Sequence, residues 1–507
     1  MPYQSMLDHL DLRPSHLLIL IPLGISVWLA VQVHSAVWNV FFHPLRAYPG
    51  PLLARATSLW YAKSLARGTI AQDLLALHER YGDTVRITPD EVSFIDPTNW
   101  KQIYGFRDGG KVEMIKDPRY HDTVKPTVTI LTGDRDQHSE LRKMLAPPFS
   151  EGSLKKQEYI LHRYIDKFVE VVTREGKNGS EAIDMVNWWN FLTFDIIGFL
   201  AYGEQFNCLT TSKLHGWIES SLAIATLMSL GQAARQLPYP FSRIYKAFAI
   251  PKDIYEHTNN HRRQVEANVR ARLQNSPKHQ DFLQRMVALH EGGELSFGTL
   301  WEHASLLTIG GSETTATLLA GATYFLASNK QVQARLAKEL REKFASAGDI
   351  NAASCAECPY LLGVIQESLR LYPPSPANHT RMVPKGGATL EGRFIEGGYC
   401  VSMPMYAAFQ SSSNWTSPQE FAPERWIEGR AADFAGDKRE ALKPFSYGPR
   451  NCLGQLLANQ EIRLALAKTI WHFDLELQRE SEGWLDQKSF TFWKKPALMV
   501  KMTPVHR

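Results

Sequence analysis

Apolar positions recur at helical spacing in the C-terminal half of the chain. After Cys452 they fall on a period near 3.6 residues, which predicts a helix; they are Leu453, Leu456, Leu457, Leu464, Ala467 and Trp471. A long helix is predicted over 299–328, where paired glycines are the main breakers. Another is predicted over 357–371, and Pro373-Pro374 ends it.

Short alternating segments predict strands. Val85–Ile87 and Val92–Phe94 flank a turn-forming run at 88–91, a pattern typical of a β-hairpin. Further short strands are expected at 393–395 and 399–401. The chain as a whole therefore predicts a mainly α protein with small β sheets, built as one large domain.

The N-terminal region carries a long uncharged segment. No Asp, Glu, Lys or Arg occurs over 14–45, and 17–33 is nearly all apolar. We predict a tail and transmembrane signal anchor over 1–42, with the span at about 16–38, because this length can cross a bilayer. A buried core helix is the alternative. Three prolines in 43–55 predict a stiff, non-helical hinge, and the body of the protein then covers 56–507.

Charge and cysteine content indicate the compartment. Acidic residues precede the apolar segment and basic residues follow it, so the positive-inside rule places the body in the cytosol; they are Asp8 and Asp11 before it, and Arg46, Arg55, Lys63 and Arg67 after it. The five cysteines are an odd number, which suits a reducing compartment. Cys355 and Cys358 lack a second pair, so this C-x-x-C is taken as incidental. A net charge of +4 is too small to indicate a nucleic-acid partner.

The most informative run is F-x-x-G-x-R-x-C-x-G, with Phe445, Gly448, Arg450, Cys452 and Gly454 at its fixed positions. A cysteine just before a helix is favoured as a thiolate by free N–H groups and the helix dipole. The glycines are expected to let backbone approach a flat group closely. A buried structural cysteine is the alternative for Cys452 alone, but five fixed positions within ten residues favour an iron-binding loop.

With this run the chain resembles the cytochrome P-450 superfamily, from about residue 44 to the C-terminus. The resemblance implies a single large cytochrome P-450 domain with haem b as cofactor. Cys452 matches the proximal iron ligand of that family. It also implies a haem-thiolate monooxygenase activity for 56–507.

The segment Ile309–Thr315 resembles the family's A-G-x-[D/E]-T-[T/S], with Gly310 in place of Ala. Leu306, Gly310 and Thr314 share one helix face, and Gly310 leaves room there for dioxygen. The resemblance makes Thr314 and Glu313 the catalytic pair, with Thr314 holding a water and Glu313 relaying protons from solvent. An ordinary core helix with a solvated Glu is the alternative.

The run Glu367-Ser-Leu-Arg370 places an acid and a base on one helix face. Arg425 lies in a segment that resembles the family's P-E-R-F. The resemblance implies that Glu367, Arg370 and Arg425 form a buried triad, structural rather than catalytic, that locks the region of the cysteine loop.

Haem propionates need cations or hydrogen bonds when buried. Arg450 is the first candidate. His138 and Arg142 resemble the family's W-x-x-x-R helix with His in place of Trp, and Arg381 matches a third family position. A solvated surface role is the alternative for each.

The resemblance also implies partners: O2, NADPH-cytochrome P-450 reductase as electron donor with cytochrome b5 as a second candidate, the membrane and a lipophilic small molecule. We expect a single-pass protein of the endoplasmic reticulum membrane with a cytosolic catalytic domain. A basic surface for the donor is formed by Lys143, Lys438, Arg439 and Lys443 in this interpretation, with a solvated face as the alternative.

Substrate class is the least determined property. The hinge and the run 81–94 resemble fungal secondary-metabolism enzymes of the trichothecene-hydroxylase type, which implies a terpenoid or polyketide-derived substrate. Candidate pocket residues are Met228, Pro376, Ala377, Asn378 and Phe492. Other hypotheses are a haem-thiolate isomerase or dehydratase without O2, a fatty-acid or sterol hydroxylase, and a non-catalytic haem sensor.

Overall fold

The computed structural model describes residues 14–106, 113–117, 127–212, 216–275, 281–376, 379–429 and 432–505. Within these residues the structure is mainly helical with small sheets, as predicted. The α-helices are α1 (Pro14–Phe41), α2 (Leu52–Ala56), α3 (Leu59–Arg67), α4 (Ile70–Tyr81), α5 (Arg135–Leu145), α6 (Glu151–Glu175), α7 (Met185–Tyr202), α8 (Cys208–Thr211), α9 (Gly216–Arg235), α10 (Phe241–Phe248), α11 (Lys252–Gln274), α12 (Gln284–Glu291), α13 (Phe297–Ser328), α14 (Lys330–Lys343), α15 (Ala352–Cys355), α16 (Pro359–Leu371), α17 (Met405–Gln410) and α18 (Gln455–His472).

The strands form small sheets at the edges of the helical body. They are β1 (Thr84–Thr88), β2 (Glu91–Phe94), β3 (Ile115–Lys116), β4 (Ala182–Asp184), β5 (Arg381–Met382), β6 (Ala388–Leu390), β7 (Arg393–Ile395), β8 (Cys400–Ser402), β9 (Phe473–Leu477), β10 (Ser489–Phe490), β11 (Phe492–Trp493) and β12 (Met499–Pro504). One sheet has the order β1-β2-β8-β5-β3, and a second has the order β4-β12-β9; β6-β7 and β10-β11 pair separately. The predicted β1–β2 hairpin is confirmed, and β2 then pairs in parallel with β8.

The predicted helices are confirmed with small shifts at their ends. The long helix starts at Phe297, because the Ser296 side chain accepts a hydrogen bond from the Thr299 N–H at 3.1 Å and caps it. The helix predicted from 357 starts at Pro359. N–H groups in the first turn have no acceptor within the helix, so the missing N–H of proline removes no hydrogen bond there. Both α13 and α16 lie in the main hydrophobic core with α6, α7 and α18. This core fixes the positions of α13 and α16 relative to α18, the helix that follows the cysteine loop.

The hinge prediction was wrong in one respect. Residues 43–55 are not free of helix: Pro44–Ala47 form a 3-10 turn, and α2 begins at Leu52. Pro44 occupies the first turn, where its absent N–H is not needed. The segment is also tied to its surroundings, since Arg55 Nη2 donates to the carbonyls of Val40 and Arg46 at 3.2 Å each.

The N-terminal helix α1 includes a segment, Ile21–Phe41, that is long and apolar enough to cross a membrane. Most of its side chains are exposed, and the 18-residue apolar window contains no buried residue. A core helix would bury these side chains, so the alternative of a buried core helix does not describe α1.

The paired glycines of α13 have different surroundings. A Cβ on Gly311 would lie 2.6 Å from Ile197 Cδ1 and 2.9 Å from its Cγ1, so Gly311 allows α7 and α13 to approach closely. A Cβ on Gly310 would have no atom within 4 Å. Gly311 therefore accounts for the close approach of the two helices, and Gly310 faces open space, as expected of the residue that leaves room on its face.

This difference predicts opposite effects of the same substitution. Gly310→Ala should raise stability, by up to about 1 kcal/mol, because alanine is the better helix former and its methyl group meets nothing. Gly311→Ala should not raise stability, because its methyl group would clash with the Ile197 side chain. Thermal unfolding of the two variants, measured beside the wild type, checks the order. Equal melting temperatures for the two variants would contradict it.

Candidate active site

Cys452 lies just outside the N-terminus of α18, whose N-cap is Gly454. Its backbone N–H donates to the Phe445 carbonyl at 2.9 Å, which closes the loop between the two motif residues. Its side chain is exposed, whereas those of Cys208, Cys355, Cys358 and Cys400 are buried. Cys452 is thus the one exposed residue among the five cysteines.

Two groups favour the thiolate form of Cys452. Burial among surrounding atoms raises the pKa of the thiol, while a hydrogen bond from the Gly454 N–H and the charge of Arg142 lower it. Arg142 also donates to Asn451, through Nη1 to its carbonyl at 2.8 Å and through Nη2 to its Oδ1 at 2.6 Å. Arg142 therefore holds the residue next to Cys452 and places a positive charge beside the sulfur.

The motif glycines have specific surroundings. Gly448 has φ of 78°, and a Cβ there would lie 2.0 Å from the Tyr104 carbonyl oxygen. This position requires glycine because backbone packs on backbone, which differs from the approach to a flat group expected from the sequence. A Cβ on Gly454 would lie 4.0 Å from the Cys452 sulfur, an ordinary contact distance.

Arg450 lies in a buried ion pair that the sequence did not predict. Its Nε and Nη2 donate to Glu113 Oε1 at 3.1 and 2.8 Å, and its Nη1 donates to the Gly133 carbonyl at 3.0 Å. These bonds use three of the five guanidinium N–H groups. Arg450 therefore has Glu113 as its partner in this structure, with N–H groups left over for a second acceptor.

Positive charge accumulates around Arg450. Burial lowers the pKa of Lys116 well below its usual value, and Arg381 and Arg450 lower it further, with Glu113 opposing them. Burial and four nearby cations, among them Arg142, lower the pKa of His138 to about 4. His138 is therefore neutral at pH 7. Lys116 lies in the short strand β3 and Glu113 lies just before this strand; neither has a recognisable motif in the sequence.

Arg381 is the remaining predicted cation of this cluster. It is 6% exposed, and burial lowers the pKa of its guanidinium. Its Nη1 donates to the Thr380 carbonyl at 3.2 Å, and its guanidinium carbon lies 4.9 Å from the centre of the Tyr104 ring. The Thr380 carbonyl and the Tyr104 ring that contact Arg381 are neutral, so the positive charge of Arg381 can interact with an anion.

The predicted face of α13 is open at the expected residues. Gly310 is exposed, and Leu306 and Thr314 are half-buried. The Thr314 hydroxyl donates to the Gly310 carbonyl at 2.7 Å, a bond that commits its hydrogen and leaves the oxygen as an acceptor. Thr314 is thus fixed in one orientation on this face.

Glu313 lies in the protein interior. Its side chain is 2% exposed and forms an ion pair with Lys495, itself 1% exposed. Thr317 Oγ1 donates to Glu313 Oε1 at 3.1 Å, and Lys495 Nζ donates to Thr317 Oγ1 at 2.6 Å. The alternative of a solvated Glu is wrong for this helix, and Glu313 has no direct exposure through which to take protons from solvent. Lys495 follows β11 and belongs to no motif, so no local pattern in the chain indicates its role.

The structure brings Glu367, Arg370 and Arg425 together. Glu367 Oε1 accepts from Arg370 Nη2 at 2.8 Å and from Arg425 Nε at 3.1 Å, and all three side chains are 0% exposed. Arg370 also donates to the carbonyls of Phe409, Pro418 and Glu420. The cluster therefore ties α16 to the segment that leads towards the cysteine loop.

The remaining predicted residues are the basic surface residues and the candidate pocket residues. Lys143 is exposed, Arg439 and Lys443 are half-buried, and Lys438 lies 3.4 Å from Asp96. Met228 is 44% exposed on α9, Phe492 is half-buried in β11 and Pro376 is buried; Ala377 and Asn378 lie outside the described residues. Among the described residues no group of three or more His, Cys, Asp or Glu could hold a metal ion.

Comparison with known families decides the identity of the fold. A family model described as cytochrome P450 matches residues 48–502. The chain belongs to the cytochrome P450 family. The match begins within the predicted hinge and covers the whole helical body.

Curated relatives of this P450 are fungal monooxygenases. The chain is 55% identical to cytochrome P450 monooxygenase hepD of Aspergillus oryzae over 95% of both chains. It is 39% identical to astJ of the same fungus over 92% of this chain and 94% of the relative, and 37% identical to astA of Talaromyces wortmannii over 96% and 97%. All three are named cytochrome P450 monooxygenases, and this chain is an enzyme of that class.

The residues of this P450 fit a haem-thiolate group. The thiol of the exposed residue Cys452 lies beside an amide N–H and a guanidinium. Among the described residues, Arg381 and Arg450 carry more positive charge than Glu113 balances, and Arg450 retains unused N–H groups. Buried cations in excess require anions. Two propionates would supply them at this place.

The Lys495–Glu313 pair predicts a large stability effect. Lys495→Met should lower the free energy of unfolding by about 3–5 kcal/mol, because a buried carboxylate loses its counter-charge. Lys494→Met, at the exposed neighbouring residue, should change it by less than about 0.5 kcal/mol. Denaturant unfolding of both variants measures the difference. Similar values for the two would show that the ion pair adds nothing to stability.

Proposed function

We propose that this P450 holds haem b through Cys452 and uses O2 to oxidise a lipophilic small molecule, most simply by hydroxylation, epoxidation or a series of such steps. The observation that carries the proposal is the state of Cys452. Cys452 is an exposed residue, and its sulfur accepts a hydrogen bond from the Gly454 N–H and lies near Arg142. These are the groups that a thiolate ligand needs.

The haem, when bound, supplies the oxygen-activating chemistry of the family. The protein's part is to hold and orient it. Arg142 fixes the loop at Asn451, and Arg381 and Arg450 offer N–H groups to the propionates, with Lys116 as a further cation. Neutral His138 adds a hydrogen-bond donor without adding charge.

Thr314 and Glu313 are proposed as the proton-handling pair. Since the Thr314 hydroxyl donates to Gly310, its oxygen is placed to accept a hydrogen bond from a water on the open face. Glu313 and its partners Lys495 and Thr317 are all buried, so a proton that Glu313 takes from solvent requires this ion pair to open. This modifies the simple relay expected from the sequence.

We place the enzyme in the endoplasmic reticulum membrane as a single-pass protein with a cytosolic catalytic domain. Support comes from the apolar segment Ile21–Phe41 and from the basic residues that follow it. Trp28 of this segment lies 5.3 Å from Phe241 of α10, measured between ring centres, and Phe248 of the same helix is 86% exposed. Exposed aromatic residues beside an anchor suit a lipid-facing surface.

The electron donor is proposed to be NADPH-cytochrome P-450 reductase, with cytochrome b5 as a second donor. P450 monooxygenases generally depend on a redox partner. Exposed Lys143 and half-buried Arg439 and Lys443 support a basic surface for an acidic partner, while Lys438 is partly neutralised by Asp96. Three of the four basic residues therefore remain for this role.

We propose a terpenoid or polyketide-derived substrate of fungal secondary metabolism. The similarity to fungal monooxygenases such as hepD and astJ supports this class, as does the lipophilic character that the anchor implies. Half-buried Phe492 lies in a hairpin whose Thr491 Oγ1 donates to the Ala225 carbonyl of α9 at 3.4 Å, near Met228. These elements are our candidates for the substrate side of the pocket.

Cys452→Ala tests the ligand assignment. The variant should lose the red-shifted Soret band of the ferrous–CO complex, because that band depends on a thiolate on iron. Cys400→Ala, which removes a buried cysteine, should retain it. Difference spectra of the purified proteins measure both. Retention of the band in the Cys452 variant would exclude this residue as the ligand.

Thr314→Ala tests the proton-handling role. The variant should bind haem normally but divert reducing equivalents to hydrogen peroxide, since the water acceptor is gone. The coupling ratio of product to NADPH consumed should fall severalfold. Thr317→Ala, which removes a hydroxyl bonded to Glu313 instead, separates the effect of Thr314 from damage to the ion pair. Wild-type coupling in Thr314→Ala would contradict the role.

A further inference from the structure

The buried charge cluster of α16 contains more positive than negative charge if it is limited to the predicted triad. Glu367 supplies one carboxylate, and Arg370 and Arg425 supply two guanidinium groups, all at 0% exposure. The Trp426 indole N–H and the Ala422 N–H also donate to Glu367, at 2.9 and 3.1 Å. These neutral donors add no negative charge, so one cation lacks a counter-charge within the triad.

Asp437 provides the missing negative charge. Its Oδ2 forms an ion pair with Arg425 Nη1, and its side chain is 0% exposed. Its Oδ1 accepts from the Thr416 N–H at 2.7 Å, so both carboxylate oxygens have partners. With Asp437 the cluster becomes a tetrad of two acids and two bases, and the buried group is neutral.

The surroundings of Arg425 leave it dependent on these two acids. Its guanidinium carbon lies 4.1 Å from the centre of the Phe434 ring and 5.8 Å from that of Trp415. Its Nη1 also donates to the Thr416 carbonyl at 3.0 Å. Aromatic faces and carbonyls stabilise a cation but do not neutralise it. Loss of Asp437 would therefore leave a buried net charge.

Asp437 is also connected to the cysteine loop. The next residue, Lys438, donates its N–H to the Asn414 carbonyl at 2.8 Å, and Trp100 Nε1 donates to the Ala441 carbonyl at 3.0 Å. The loop then closes where the Cys452 N–H meets the Phe445 carbonyl. The segment from Asp437 to Cys452 is thus fixed at its start, its middle and its end.

We propose that Asp437 is a positioning residue for Cys452: it neutralises Arg425 and thereby fixes the start of the segment that presents the sulfur to the iron. The proposal rests on the assignment of Cys452 as the haem ligand. The Cys452→Ala spectrum tests that assignment by itself, so failure of one idea is distinguishable from failure of the other.

Asp437→Asn tests the proposal while preserving the shape of the side chain. In the ferrous–CO complex, the red-shifted Soret band reports thiolate ligation, and a Soret band at shorter wavelength reports its loss. Asp437→Asn should convert the first form to the second at least about tenfold faster than wild type, at a temperature where the far-UV circular dichroism is unchanged. Asp433→Asn, at an exposed residue of the preceding 3-10 turn, should match wild type. Equal conversion rates for the two variants would overturn the proposal.

A charge-balanced double variant separates charge from packing. Arg425→Gln and Asp437→Asn each leave a net charge in the cluster, of opposite sign, and the double variant leaves none. The double variant should therefore keep the thiolate form longer than either single variant. If Asp437→Asn fails to take up haem at all, recovery of the thiolate spectrum in the double variant supports the proposal. Additive loss, or no recovery, overturns it.

Discussion

Charge neutrality in the interior is the constraint on which the architecture around Cys452 depends. Arg425 has Glu367 and Asp437, Lys495 has Glu313, and Arg450 has Glu113. Glu367–Arg425, Glu313–Lys495 and Glu113–Arg450 join residues 58, 182 and 337 positions apart in the chain, and Asp437 lies 12 positions after Arg425. Because an unpaired buried charge is costly, the pairs restrict how these segments can lie relative to one another.

The same constraint describes the region that fits the haem propionates. Among the described residues of that region the two guanidinium groups of Arg381 and Arg450 have one acid, Glu113, and burial together with these cations lowers the pKa of Lys116. The α16 cluster is neutral, whereas the region around Arg381 and Arg450 has a net positive charge that an anionic group would balance. His138 takes part as a neutral residue, since the surrounding cations and burial keep it unprotonated.

The helix α13 serves packing and chemistry on different faces. Gly311 meets Ile197 and lets α7 approach, while Gly310 opens the other face and accepts the Thr314 hydroxyl through its carbonyl. Glu313, next to Thr314 in sequence, points instead to Lys495 and the interior. Adjacent residues of a helix project about 100° apart around its axis, so Thr314 can lie on the open face while Glu313 points into the interior.

The sequence by itself determined the helical class and the β1–β2 hairpin, because periodicity is a local property of the chain. It indicated the cysteine loop through a short motif, and the residues of the α16 triad through the resemblance to the family. Tertiary structure alone decided the partners: Glu113 for Arg450, Lys495 for Glu313, and Asp437 for Arg425. A single charged residue in a loop has no local pattern that tells a buried ion pair from a solvated side chain. What makes each acid necessary is the burial of its partner, and burial is set only when distant segments of the chain pack together.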